Sequence, residues 1–414
     1  MFLRCSGLAR LKGFFFKKSD VRDMGEALIA LLLSTIGDAV TGFIFGLGSR
    51  ILRVKPEVIV LIPATTDMRG NIYASLGSRL GTLLHSGMLD SRLKKSKSLM
   101  DNVISSIVQS LNLSLFIGVI SALYVQFTFS KGVPHDLILI SMISSIFSMP
   151  IMITCAIIVA LSTFRRGWDP DNFSAPILTL LGDFITLPLI LISTLIVLNL
   201  HFYMKVIIGI ILIIVSMAGL TYIAHNRRKM SYMWRILIES LPICMASGVL
   251  SLISGIILEK NMEKLLLTAG LFTILPAFLE EGGAISGILA AKFSTKLHLG
   301  ELEGKLKFSR EVLKEFLKMY VISPVIFSLT AILGFIMSSI LHLPMVKLDL
   351  LIPMLITAGL LLVTIGSVTS YLVAVLSFRK GLDPDNTTIP VLTSIMDVSG
   401  ALSLIVSLTL YGTF

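Results

Sequence analysis

Long runs of apolar residues, separated by short polar segments, dominate the pattern along this chain. Uncharged runs such as 206–224 and 351–376 reach the roughly 20 residues that a helix needs to cross a bilayer. We therefore predict an all-α polytopic membrane protein with about eleven transmembrane helices. The predicted spans start near Glu26, Pro56, Val103, Asp136, Phe173, Met204, Glu239, Lys264, Tyr320, Leu350 and Thr387.

The pattern also repeats along the chain at a nearly constant offset. The segments 169–183 and 383–397 both open with Asp-Pro-Asp-Asn and end with Thr-x-x-x-Asp, and 397 − 183 = 214. Pro63-Ala and Pro276-Ala match in the same way, since 276 − 63 = 213. Each repeat would contain five spans, and the helix from about 204 to 224 belongs to neither.

The extra helix has a topological consequence. Because five is an odd number, two directly fused repeats would cross the membrane in opposite senses, and one added crossing restores a parallel arrangement. We therefore predict two parallel five-helix repeats joined by one helix. The predicted domains are a basic cytoplasmic tail (1–25), the first membrane repeat (26–200), a linker helix with its loop (201–238) and the second membrane repeat (239–414).

The net charge of +10 follows this topology. Segments on one side of the predicted spans hold 25 of the 35 Lys and Arg residues, against eight on the other side. This bias places the first side in the cytoplasm, so we expect the N-terminus inside and the C-terminus outside the plasma membrane. Topology alone then accounts for the basic composition, and we expect no nucleic-acid partner. The three cysteines show no ligand spacing and predict no disulfide framework.

Asp183 and Asp397 are the leading candidates for a binding function. A carboxylate in the middle of a membrane helix costs about 2.5 kcal/mol or more, and Asp183 lies roughly 21 Å of helix beyond Asp169. Thr179 and Thr393 precede the two aspartates by one turn and share their faces. Oxygen ligands without His or Cys favour a hard divalent cation such as Mg²⁺, which is often held by one or two carboxylates and waters. A structural pair, hydrogen-bonded to neighbouring helices, is the alternative.

A second polar region lies early in the second span of each repeat. Pro, Gly and acidic residues interrupt an apolar run there, and irregular backbone at membrane depth is tolerated only in protein or beside a watery cavity. We expect Asp67, Glu280 and Glu281 to line an ion pathway on a broken helix. The alternative for Asp67 is an ion pair with Arg69 in an outer vestibule.

Three further acids have roles that the residues leave open. Asp169 and Asp383 precede prolines at the start of the fifth and eleventh spans, where they would cap the helix. Ion binding at the mouth of a pathway is compatible with that capping. Asp38 aligns with Ser251 and therefore cannot be a two-fold ligand. It would either bind a coupling ion or proton, or pair with a basic residue.

These motifs resemble a known family. The Asp-Pro…Pro…Thr…Asp pattern, the Pro…Gly-Asn helix and the five-span unit are similar to the membrane domain of MgtE-type magnesium channels. Two such units on one chain, joined by an extra helix, resemble the solute carrier family 41 magnesium transporters and their archaeal or prokaryotic relatives. The resemblance covers roughly residues 26–200 and 239–413.

The resemblance implies roles for particular residues. The family's central magnesium ligand matches Asp183 and Asp397, and an aspartate toward the cytoplasmic mouth matches Asp169 and Asp383. Asn71 matches an asparagine of the family's Gly-Asn pair, which the second repeat replaces by Gly-Ala, so this ligand would act from one side only.

The resemblance also implies a function. We expect a divalent cation transporter, with Mg²⁺ as the transported ion and the pathway at the pseudo-two-fold interface between the repeats. We expect no cofactor, a lipid bilayer as surroundings, and a monomer. Only about 25 residues precede the first predicted span, so we expect none of the family's cytoplasmic regulatory domains.

Two alternatives to that function remain. One is a Na⁺- or H⁺-coupled exchanger that prefers another ion, such as Mn²⁺ or Co²⁺. The other is an intramembrane aspartyl hydrolase, which would not be a transporter at all. The duplicated surroundings of the two aspartates disfavour the hydrolase, because its aspartates share a proton in unlike environments. The sequence before Asp183 also lacks the Gly-x-Gly-Asp of that class.

Overall fold

The computed structural model describes residues 18–85, 88–89, 96–128, 135–166, 170–298, 300–380 and 384–412. Every regular element in these ranges is helical, which confirms the all-α prediction. The α-helices are α1 (Lys18–Val54), α2 (Leu61–His85), α3 (Lys97–Thr128), α4 (His135–Arg165), α5 (Pro170–Asn199), α6 (Phe202–His225), α7 (Ser231–Lys260), α8 (Met262–Leu267), α9 (Leu275–His298), α10 (Arg310–Ile340), α11 (Leu348–Arg379) and α12 (Pro384–Leu410). Two 3₁₀ helices span Pro56–Val60 and Ala269–Thr273.

Eleven of these α-helices are long, and α8, with 6 residues, is the exception. In the described part of the chain, nine of the long helices are apolar enough to cross a membrane. The other two are α2 and α9, which contain the acidic residues of the second span in each repeat. The protein is therefore a multi-pass membrane protein, and the two long helices below this level of hydropathy carry Asp67, Glu280 and Glu281, the acids predicted to line a pathway.

The starts of the helices repeat with the same offset as the sequence. Helix α1 begins at Lys18 and α7 at Ser231, and 231 − 18 = 213. The starts of the two 3₁₀ helices keep this offset, since 269 − 56 = 213. Helices α2 to α5 correspond in order to α9 to α12, and α6 has no counterpart. The domain boundaries inferred from the repeat stay a prediction.

The interruption in the second span lies earlier than the sequence indicated. Helix α2 runs unbroken through Pro63 and Asn71, and the irregular segment is the 3₁₀ helix that precedes it. Helix α9 begins at Leu275, directly before Pro276. A proline in the first turn breaks no helix, because the N–H that it lacks would have no partner within the helix. The motif therefore starts these helices and does not break them.

The chain forms two compact units that do not follow the repeats. The continuous unit is Phe43–Ala269, and the split unit combines Met1–Gly42 with Gly270–Phe414. Helix α7, the first helix of the second repeat, thus belongs to the continuous unit with α2 to α6. Most of α1, the first helix of the first repeat, belongs to the split unit with α9 to α12. The two repeats have exchanged their first helices.

Two glycines at equivalent positions explain how the exchanged helices pack. In the continuous unit, a Cβ added to Gly255 of α7 would overlap the backbone carbonyl of Val60. In the split unit, a Cβ added to Gly42 of α1 would overlap the carbonyl of Thr273. The two contacts correspond in the repeat, since 255 − 42 = 213 and 273 − 60 = 213, so the same close backbone approach is made twice. Only glycine allows this approach without displacing the 3₁₀ helix.

Buried ion pairs hold helices together within each unit. In the continuous unit, Asp136 at the start of α4 binds Lys55 at 2.8 Å and Lys205 of the extra helix α6 at 3.0 Å. In the split unit, Lys318 of α10 lies 3.1 Å from Asp20 near the start of α1, and both residues are buried.

Candidate cation-binding site

In the continuous unit, α2 and α5 cross closely beside one of the predicted aspartates. A Cβ added to Gly70 would lie 3.3 Å from Cγ2 of Thr179. A Cβ added to Gly182 would lie 3.2 Å from the backbone nitrogen of Gly70. Asp183 follows Gly182 and lies one turn after Thr179, so it stands at this crossing. The side chains of Thr179 and Asp183 are half-buried.

The split unit contains an equivalent crossing of α9 and α12. A Cβ added to Gly283 would lie 3.8 Å from Cγ2 of Thr393. The position that corresponds to Gly182 is Met396, which is buried, so the two helices are less tightly apposed here. Thr393 and Asp397 are half-buried, as their counterparts are. Each unit thus presents one Thr–Asp pair at the crossing of its second and fifth repeat helices.

Asp67 accepts three hydrogen bonds in the continuous unit. The amide Nδ2 of Asn71, one turn later on α2, donates to Oδ1 at 3.1 Å. The hydroxyls of Ser247 and Ser251 donate to Oδ2 at 2.7 and 3.0 Å. Both serines lie on α7, so the exchanged helix supplies these donors. Asn71 therefore donates to Asp67 in this structure, and its role as a metal ligand stays a prediction.

Arg69 takes no part in this group. Its side chain is fully buried, and Nη2 donates to Oγ of Ser144 on α4 at 2.7 Å. The other guanidinium nitrogens, Nε and Nη1, have no hydrogen-bond partner among the described residues. The alternative pairing of Asp67 with Arg69 is therefore not formed.

Two buried acids, Glu281 and Asp38, lie where α9 meets α1 in the split unit. Glu281 of α9 is fully buried, and its Oε1 accepts a hydrogen bond from the hydroxyl of Thr35 on α1. Asp38, also buried, accepts one from Ser34 at 3.1 Å. Glu280 and Glu281 both lie close enough to Asp38 to interact with it electrostatically. Asp38 thus lies in the field of other carboxylates, and of its two alternatives the basic partner is not seen among the described residues.

The remaining predicted residues stand as follows. Asp169 and Asp383 lie outside the described residues, although the prolines that follow them begin α5 and α12 as expected. Within the ranges given above, no group of three or more His, Cys, Asp or Glu side chains converges as a ready-made metal cage.

The sequence reasoning missed the serine donors on α1 and α7. Ser34 and Ser247 occupy equivalent positions, since 247 − 34 = 213, and that repetition is the signal that could have drawn attention to them. Serine in an apolar helix is common, so the signal is weak without the knowledge that these helices are exchanged.

Comparison with known proteins agrees with the repeat. Residues 62–193 and 275–407 match the sequence profile of MgtE, described as a divalent cation transporter, once in each repeat. Solute carrier family 41 member 2 from Gallus gallus is 25% identical over 301 residues, which cover 68% of this chain and 50% of that protein. The protein of the same name from Homo sapiens is 26% identical over 301 residues, with the same coverage of 68% and 50%.

A further relative matches over more of its length. Solute carrier family 41 member 3 from Rattus norvegicus is 24% identical over 412 residues, which cover 91% of this chain and 84% of that protein. The chain spans about half the length of the member 2 proteins that it matches. No solved structure matches the chain.

Proposed function

Because this chain belongs to the MgtE family of divalent cation transporters, we propose that it carries Mg²⁺ across a membrane with Asp183 and Asp397 as its paired ligands. The observation that carries the proposal is the duplicated Thr–Asp pair, which stands at equivalent helix crossings in the two units. The family is one of transporters, which removes the hydrolase alternative.

The chemistry of the pair suits a hydrated divalent ion. Two carboxylates supply a charge of −2, which balances Mg²⁺ without the repulsion that a third acid would add. Mg²⁺ dehydrates reluctantly and keeps several waters, and half-buried aspartates leave room for them. The hydroxyls of Thr179 and Thr393, one turn away on the same faces, would hydrogen-bond these waters.

The other parts of the proposal rest on the sequence. We propose that Asp169 and Asp383 attract cations at the cytoplasmic mouth and that Asp67 and Glu280 act further along the pathway. The bias of Lys and Arg supports a cytoplasmic N-terminus in the plasma membrane. The fused repeats would give a complete pathway within one monomer, with lipid and divalent cations as the only partners.

The test is Mg²⁺ flux into liposomes that contain the purified protein. Asp183→Asn and Asp397→Asn are compared singly and together with wild type, and Glu239→Gln is the matched control, since its carboxyl is exposed. We expect each single variant to lose flux as completely as the double variant, because one carboxylate cannot balance the ion. If each single variant kept about half of the wild-type flux, the two aspartates would act separately and the paired site would be wrong.

Gradients and competing ions extend the same assay. Imposed Na⁺ and pH gradients separate a coupled exchanger from a channel, since only an exchanger would be driven by them. Competition by Mn²⁺ and Co²⁺ ranks the ions that the pathway accepts. A folded protein that moves no divalent ion under any of these conditions would overturn the proposed function.

A further inference from the structure

The contact between an exchanged first helix and a second helix occurs once in each unit, with different chemistry. In the continuous unit it joins α7 to α2, and in the split unit it joins α1 to α9. The two contacts are related by the sequence repeat, so each is a control for the other. The equivalent positions in the repeat are Ser34 with Ser247, Asp38 with Ser251, Glu280 with Asp67, and Glu281 with Met68.

The contact in the continuous unit supplies its own neutral donors. Its acid, Asp67, accepts hydrogen bonds from Asn71, Ser247 and Ser251. Hydrogen bonds to a carboxylate stabilise its charged form, so these donors partly compensate for the water that Asp67 loses at this contact.

The contact in the split unit is short of donors. Glu281 is 0% exposed, and its Oε2 has no hydrogen-bond partner in the part of the chain that the structure describes. Asp38 is 1% exposed and replaces the serine that donates in the other unit. A buried carboxylate oxygen without a donor has lost its hydration with nothing to replace it, which destabilises the folded protein. The negative charges of Asp38 and Glu281 also repel each other, so a bound cation would stabilise both carboxylates.

Asp38 and the carboxyl group of Glu281 both lie beside one turn of α1. Thr35 and Asp38 are three residues apart and share a face of the helix. Because Glu281 accepts its hydrogen bond from Thr35, its carboxyl group faces the turn that carries Asp38. The hydroxyls of Ser34 and Thr35 add two neutral oxygen atoms to the same place.

We propose that Asp38 and Glu281 bind a hard metal cation between α1 and α9, with the hydroxyls of Ser34 and Thr35 as further ligands. All of these ligands are oxygen atoms, which favour Na⁺ or Mg²⁺ over a soft metal. The site exists in the split unit alone, because Ser251 and Met68 take the places of its carboxylates in the continuous unit. It is separate from the paired site and does not rest on the proposed function.

The experiment is calorimetric titration of the full-length protein in detergent, with MgCl₂ and, in separate runs, with NaCl against a KCl reference. The starting protein carries Asp183→Asn and Asp397→Asn, which removes the paired site. On this background, Asp38→Ser reproduces the residue of the continuous unit, and Glu281→Gln keeps the shape of the side chain. Glu239→Gln is again the exposed-acid control.

We expect the starting protein to retain one cation site. Its Kd should rise at least about tenfold in Asp38→Ser and in Glu281→Gln, equivalent to about 1.4 kcal/mol, and stay unchanged in Glu239→Gln. A heat of binding on titration with MgCl₂ identifies a divalent occupant. A heat of binding with NaCl but not with MgCl₂ identifies a sodium site. Both results support a hard-cation site.

Two results would overturn the inference. One is the absence of binding of either ion to the starting protein. The other is residual binding that neither Asp38→Ser nor Glu281→Gln weakens. The melting temperature of each variant in cation-free buffer is a second measurement. Without a cation the two buried acids repel each other, so removing either one should raise the melting temperature. A fall in both variants would show that the acids are structural and would contradict the site.

Discussion

The close packing of the exchanged helix α7 predicts that substitution of Gly255 destabilises the protein. In Gly255→Ala the new methyl group would overlap the carbonyl of Val60, which belongs to the backbone and cannot turn away as a side chain can. Overpacking of this kind costs about 1–3 kcal/mol. The same change raises helix propensity by about 0.8–1.0 kcal/mol, which partly offsets the loss. Gly287→Ala provides a matched control, because a Cβ at that position of α9 meets nothing within 4 Å.

Gly255→Ala and Gly287→Ala gain the same helix propensity, so this gain cancels when their unfolding free energies are compared. The difference in unfolding free energy between them should therefore equal the overpacking alone, about 1–3 kcal/mol. We expect Gly255→Ala to melt below wild type in detergent and Gly287→Ala at or above it. Mg²⁺ flux should fall only in Gly255→Ala, since α7 also carries the serines that donate to Asp67. Equal melting temperatures for the two variants would refute the close packing of α7 on the 3₁₀ helix.

Two further predictions concern polar contacts. Lys318→Met removes a buried cation with carboxylate oxygens at 2.8 to 3.1 Å and should cost about 3 kcal/mol. It should lower the melting temperature far more than Arg235→Gln, whose ion pair is exposed to solvent and contributes little, and similar melting temperatures would contradict a buried network. Ser251→Ala removes one donor from Asp67, and hydrogen bonds inside membranes average about 0.6 kcal/mol, so its melting point should change little. A loss as large as that of Lys318→Met would mean that this serine does more than donate to Asp67.

Local features of the sequence were enough to predict the helices. Each apolar run specifies a span by its length, and the nearly constant offset between the repeats specifies which spans correspond. The predicted helix ends were less accurate: α7 begins at Ser231, eight residues before the predicted start of this span near Glu239. Polar residues at such ends continue the helix beyond the apolar core, and hydropathy does not register them. The Thr–Asp pairs were also evident from the repeat, because a carboxylate in an apolar run stands out.

Only the tertiary structure decided which helices meet. The sequence alone did not reveal that α7 packs on α2, that Ser247 and Ser251 donate to Asp67, or that Glu281 contacts Thr35 of α1. The physical reason is that the exchanged helices α1 and α7 are apolar enough to cross a membrane and their apolar residues do not collect on one face, so hydrophobic periodicity does not single out a partner. Partners are chosen by close steric fit, as at Gly42 and Gly255, and that fit depends on backbone positions far apart in the chain.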